Sequence, residues 1–247
     1  MYTTPLLLEG TNLSIVWCRA VDHILQNSGA DITPLVVTLT KFEESIEVRN
    51  MLEQSLRINE KSSINTVAET IFPESLYQLY SYDRHALYEG YLSILPRLKK
   101  IDPKNAKGTY FERLIAFNGK INQLEMIINS LQEEQSVRRS KLQASIFDAT
   151  RDHSDSPYQR FPCLQHVTFN ETPSRGLIIN SFYAMQYLYE RAYGNWLGLI
   201  NLGKFVAREL NLNFERLNCF VGVEHLDISK EKAKKLRMEF NQLSIYE

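Results

Sequence analysis

Cys163 lies in the stretch Arg160-Phe-Pro-Cys-Leu-Gln-His166, directly behind a proline and between two apolar segments. An arginine pair, Arg138-Arg139, precedes it, and Asn195 and then His225 follow it. A thiol attacks as the thiolate, which a neighbouring guanidinium or imidazolium favours; Arg138, Arg139 and Arg160 are the candidates. Two adjacent guanidiniums can also clamp a phosphate or carboxylate through bidentate bonds. An amide such as Asn195 offers a donor and an acceptor side by side, which suits the edge of a pyrimidine. Glu69, set among Val67, Ala68 and Ile71, could act as a half-buried general acid or base. The combination points to a thiol nucleophile adding to a flat, electron-poor ring.

Each residue also has a plainer role. Free cysteine is among the most buried residue types, and Cys18 and Cys219 read as core on that ground. Arg138-Arg139 could be a solvated turn, Asn195 an N-cap opening an apolar helix, His225 a strand-end histidine and Glu69 part of a solvated face. A cysteine hydrolase would pair Cys163 with His153, His166 or His225. His166 is three residues along the same expected strand and so faces the other side of the sheet. Gly-rich phosphate loops, zinc-ligand spacings and basic-aromatic patches are not found in the sequence.

The 247 residues, 44% hydrophobic and 23% charged with a formal net charge of −1, fit one soluble domain spanning 1–247. That charge gives no reason to expect nucleic acid or an anionic membrane as partner. The apolar runs fall short of a bilayer span, and Met1 to Gly10 has no signal-peptide pattern. Three cysteines without metal-ligand spacing are expected to be free thiols in a reducing, cytoplasmic setting, with no metal.

Hydrophobic periodicity predicts helices over Asn12–Gln26, Ser45–Leu56, Ser63–Phe72, Glu74–Leu98 (stopping near Pro96), Ile121–Gln135, Asn195–Leu210 and Lys230–Leu243. Strands are expected over Ile32–Leu39, Ser140–Phe147, Cys163–Phe169, Leu177–Tyr183 and Cys219–Val223. The polar stretches Ile101–Gly108 and Asp148–Gln159 read as connectors. Helices mixed with scattered strands give an α+β layered protein.

Taken in order, these features resemble the thymidylate synthase family, which includes the pyrimidine hydroxymethylases. Gln123 with Val137-Arg-Arg139 resembles the family's helix followed by an arginine pair, and Phe161-Pro-Cys163 its nucleophile motif. The segment Leu177 to Leu212 is similar to the one holding the pyrimidine-binding asparagine, here Asn195. Gly222-Val-Glu-His-Leu226 resembles the strand whose histidine contacts the sugar, and Val67-Ala-Glu-Thr-Ile-Phe72 the helix with the catalytic glutamate.

The resemblance implies a mixed sheet packed with helices, the sheet back forming a homodimer interface. It implies transfer of a one-carbon unit to C5 of a pyrimidine nucleotide or nucleoside, with 5,10-methylenetetrahydrofolate as donor. Cys163 would be the nucleophile and Glu69 would organise proton transfer. Asn195 would hold the ring and His225 the sugar. Arg138 and Arg139 would reach a phosphate across the dimer.

The sequence also departs from the pattern. The arginine of the family's Tyr-Gln-Arg-Ser stretch falls on Ala184, and the early phosphate-loop arginine is missing from Asn27-Ser-Gly-Ala30. The folate-facing aspartate is Tyr187, and the tyrosine after the sugar histidine is Asp227. The segment that closes over folate is expected to be lacking. Phe182, Tyr183, Tyr187, Tyr189 and Tyr193 could fill an emptied pocket. The alternative function is an inactive relative serving as a nucleotide- or protein-binding scaffold.

Overall fold

Residues 5–133, 137–157 and 161–241 are described in a computed structural model of the chain. Strand β1 (Leu6–Asn12) leads into α1 (Leu13–Gln26), which Asn12 caps by accepting from the Ile15 amide at 3.2 Å. The strand expected over Ile32–Leu39 is two strands, β2 (Asp31–Ile32) and β3 (Leu35–Glu43). Pro34 divides them because proline has no N–H for the ladder. Ser45 and Ser63 cap α2 (Ile46–Ile58) and α3 (Ile64–Glu69).

The helix expected over Glu74–Leu98 is also two: α4 (Glu74–Leu79) and α5 (Arg84–Ile101). Ser81 and Tyr82 turn the chain between them in the left-handed region, at φ 54° and 65°, and Asp83 caps the second helix. Pro96 does not end α5. It lies on the exposed side, where the carbonyl it leaves without a donor can turn to water.

After a 3₁₀ turn (Pro103–Asn105) comes α6 (Tyr110–Ile115), opened by a capping box between Thr109 and Glu112, and then α7 (Gln123–Glu133). The strand expected over Ser140–Phe147 shrinks to β4 (Gln143–Ser145), because Arg139–Lys141 forms a 3₁₀ turn. Strands β5 (Leu164–Glu171) and β6 (Gly176–Tyr187) form the expected antiparallel hairpin. A π-helical turn (Leu188–Ala192) leads to α8 (Tyr193–Glu209), and β7 (Asn213–His225) and α9 (Lys230–Asn241) complete the described chain. Asn195 is therefore inside α8 and does not cap it.

The sheet runs β1-β3-β7-β6-β5-β4, with β2 also on β7. It is mixed: β1/β3 and β6/β7 are parallel, the other pairs antiparallel. Its core face is covered by helices that bury Trp17 and Trp196 completely. The Trp17 indole N–H donates to the Leu188 carbonyl at 2.8 Å, fixing the π-helical turn against α1. Tyr183 and Val221 face this core, and so do Gln186 and Glu224 three positions further on. A strand alternates with period two, so the pleat inverts between them on both strands at once. Gly222 permits this: a Cβ there would stand 2.8 Å from the Ala184 carbonyl oxygen.

The opposite face carries a polar ladder. The Thr38 hydroxyl donates to Asn218, Asn218 to Asn180 and Asn180 to Thr168, at 3.2, 2.8 and 3.0 Å. Beside it the rings of Phe182 and Phe220 meet tilted at 34°, 5.5 Å between centroids, while remaining 41% and 40% exposed.

Candidate active site

Cys163 is half-buried in the turn entering β5, its carbonyl accepting from the Ala184 amide at 3.1 Å. The loop is held from α6, a helix not read from the sequence. Phe161 packs on the Tyr110 ring at 5.3 Å and under the Arg113 guanidinium at 5.4 Å. Arg113 is itself buried and ion-paired with Asp152 at 2.7 Å. The backbone amides of Cys163 and Leu164 both donate to the Tyr110 hydroxyl. Burial raises the Cys163 thiol above its ordinary range, and the charge of Arg191 works against that rise. Arg191, in the π-helical turn, was not singled out in the sequence. Its position one helical turn before Asn195 was the available signal.

Glu69 ends α3, and its carboxylate accepts from the Ser75 amide and hydroxyl, both at 3.0 Å. Burial raises its pKa and those two bonds oppose the rise. Asn195 is buried in α8. Helices α3 and α8 touch at their backbones: a Cβ on Gly194 would lie 2.6 Å from the Val67 Cβ, and one on Gly198 2.7 Å from the Ala68 carbonyl. The fold thus packs the helix of Glu69 directly on the helix of Asn195.

His225 closes β7, its Nδ1 2.6 Å from an Asp31 carboxylate oxygen and its ring 6.0 Å from that of Tyr187. It opens on a recess of about 480 Å³, shared with Lys61, Tyr187, Glu190 and Asp227. The Asp227 carboxylate accepts from the amides of Tyr189 and Glu190, and Glu190 pairs with Lys61 at 2.9 Å and Arg191 at 3.0 Å.

Arg138 and Arg139 are exposed at the turn before β4. Gln123 fixes that region, since its amide bridges the Arg113 carbonyl and both backbone groups of Ser145. Arg160 lies outside the described residues. Among the described residues no hydrogen bond joins Cys163, Glu69, Asn195 and His225 to one another. They stand on separate elements: Glu69 at the end of α3, Asn195 inside α8, His225 at the end of β7 and Cys163 just before β5.

Tyr183, Tyr189 and Tyr193 are buried, whereas Phe182 and Tyr187 are exposed. The Tyr189 hydroxyl bonds Ser55 and that of Tyr193 bonds Ser14 and Glu44. The Tyr183 hydroxyl, both ends of the Gln186 amide and both Glu224 oxygens are buried with no hydrogen-bond partner among the described residues.

The strand order and helix cover define an α+β fold of the thymidylate synthase type. Among solved structures, thymidylate synthase from T4 phage is similar, with a TM-score of 0.54 at 13% identity, covering 89% of this chain and 79% of that one. At that identity the likeness is one of fold. No protein-family model and no curated protein matches the chain.

The Tyr187 ring lies against His225, and the nearby carboxylate of Asp227 accepts from two backbone amides. Among the described residues no group of three or more His, Cys, Asp or Glu could hold a metal, and no helix is long and apolar enough to cross a membrane.

Proposed function

We propose that the chain acts at C5 of a pyrimidine nucleotide or nucleoside through covalent addition by Cys163. The observation that carries this is the half-buried thiol held by the Tyr110 and Phe161 contacts on a thymidylate-synthase-like fold, with a guanidinium in electrostatic reach. The Cys163 thiolate bonds to C6, and the ring electron pair moves through C5 to O4. A proton from water is added at C5. Loss of the original C5 hydrogen and expulsion of the thiolate then restore the ring, so the net change is hydrogen exchange at C5. Covalent addition divides one difficult substitution into easier steps. Glu69, whose pKa burial raises, is the proton carrier. Asn195 binds the ring edge and His225, oriented by Asp31, the sugar. No step is routed through folate.

The chain works as a homodimer joined through the sheet face that exposes Phe182 and Phe220, and Arg138 and Arg139 reach an anion in the partner's site. A second reading, an inactive binding scaffold, is favoured by one observation: Tyr187 and Asp227 line the recess beside His225. Exchange of C5 hydrogen, compared between the native chain and Cys163→Ser, separates the two readings.

A further inference from the structure

Helices α2 and α9 line one groove with matched sets of positions. Met51, Gln54, Ser55 and Ile58 fall at i, i+3, i+4 and i+7 on α2, and Lys232, Lys235, Leu236 and Glu239 repeat that spacing on α9. The spacing puts each set on one side of its helix. Tyr189 and Ile228 also line the groove, whose volume is about 440 Å³. The Tyr189 hydroxyl bonds Ser55 at 2.8 Å and Asn59 at 3.2 Å, so the polar atoms here satisfy one another. Met51, Ile58, Ile228 and Leu236 leave the rest of the lining aliphatic.

The cations of α9 divide by task. Lys230 donates to the carbonyls of Ile24 and Asn27, and Arg237 pairs with Asp22, which fixes the helix on α1. Lys232 and Lys235 turn to the groove instead. Lys232 donates to the Asn59 side chain at 3.0 Å, and among the described residues neither lysine has a carboxylate partner. The one acid of the lining, Glu239, stands two turns from Lys232, about 10 Å along the helix axis. The lining therefore has an aliphatic stretch and an excess of positive charge.

We propose that this groove binds a free anionic amphiphile, a single aliphatic chain with a carboxylate head. The chain lies along Met51, Ile58, Ile228 and Leu236, and the head takes charge-assisted bonds from Lys232 and Lys235. The volume is in the range of small-molecule sites, which are mostly apolar with a few placed polar groups. A bilayer is not the source of the ligand. A helix that lies on a membrane inserts its apolar face, and that face of α9, Ala233, Leu236 and Phe240, is buried on the protein, with Phe240 against Trp17 at 5.9 Å. Cys163, Glu69, Asn195 and His225 are not among the groove residues, so the proposal stands apart from the pyrimidine reading.

The test is calorimetric titration of the full chain with monomeric decanoate, beside decanol and decyltrimethylammonium. Decanoate is expected to bind one to one, at least about tenfold tighter than the other two, since charged hydrogen bonds to the lysines are available to it alone. Lys232→Gln with Lys235→Gln should bring decanoate to the level of decanol. Ile58→Glu, at a position 71% exposed and so tolerated by the fold, should weaken both. A decanoate carrying a photoreactive diazirine should label peptides of α2 and α9. No saturable decanoate binding, equal affinity for the three probes, a lysine pair without effect or labelling confined to other elements each overturns the proposal. Binding to phosphatidylglycerol vesicles without binding of monomeric decanoate would assign the groove to a membrane surface. Dissociation of a native oligomer by Ile58→Glu would assign it to a second copy of the chain. Either result also overturns it.

Discussion

Gln186 and Glu224 sit side by side in register on the parallel strands β6 and β7, both buried, and the two side chains have no hydrogen-bond partner among the described residues. An isolated buried carboxylate is too poorly solvated to stay ionised. Burial accordingly raises the Glu224 pKa well above its ordinary 4.5, and the nearby Asp227 carboxylate pushes it the same way. A protonated glutamic acid and an amide are complementary, each offering one donor and one acceptor toward the other.

The native state therefore holds a proton on Glu224 that the unfolded chain gives up near pH 4.5. With more protons bound in the folded state, stability falls as pH rises from that value toward the raised native pKa. Within the window each pH unit costs about 1.4 kcal/mol for one such group. Glu224→Gln removes the titration, so its melting temperature should gain on the native chain between pH 5 and pH 8. Parallel melting curves for the two chains across that range would show that Glu224 stays ionised in the fold.

Arg113 and Asp152 form a buried pair at 2.7 Å beneath the Cys163 loop, with Asp152 also accepting from the Asp148 amide at 2.8 Å. Removing one member leaves the other charge buried and unpaired, which costs about 3–5 kcal/mol. Arg113→Ala should lose that amount in urea denaturation. Arg113→Met combined with Asp152→Leu should lose clearly less, because neither leaves an uncompensated charge.

Phe182 and Phe220 pair as tilted rings on the exposed sheet face beside the Thr38–Asn218–Asn180–Thr168 ladder. If this face joins two copies, Phe220→Lys places two like charges near the two-fold axis. Light scattering after size exclusion should then show a native dimer and a Phe220→Lys monomer with an unchanged circular dichroism spectrum. A monomeric native chain would remove the dimer from the account.

What the sequence made legible was local chemistry. Asn12, Ser45 and Ser63 are side-chain caps that mark their helix starts, and the β5–β6 hairpin follows from its apolar runs and turn residues. The division of Glu74–Leu98 was hidden because Ser81 and Tyr82, not glycines, adopt positive φ. Helix α6 was missed although Thr109-x-x-Glu112 spells its capping box.

The site was legible only in part. Cys163, Glu69, Asn195 and His225 could be proposed by type and spacing, but Tyr110 enters only because the fold packs it on Phe161 in the thiol's loop. The Gln186–Glu224 pair depends on a pleat inversion shared by two strands, which no window of one strand reveals.

The central claim is that Cys163 adds to a pyrimidine, and the most direct measurement is release of tritium from C5-labelled dUMP, UMP, dCMP, CMP and their nucleosides, without folate. The account predicts release from at least one of them by the native chain and none above background by Cys163→Ser. Release that persists in Cys163→Ser, or no release from any of them by a folded native chain, would contradict it.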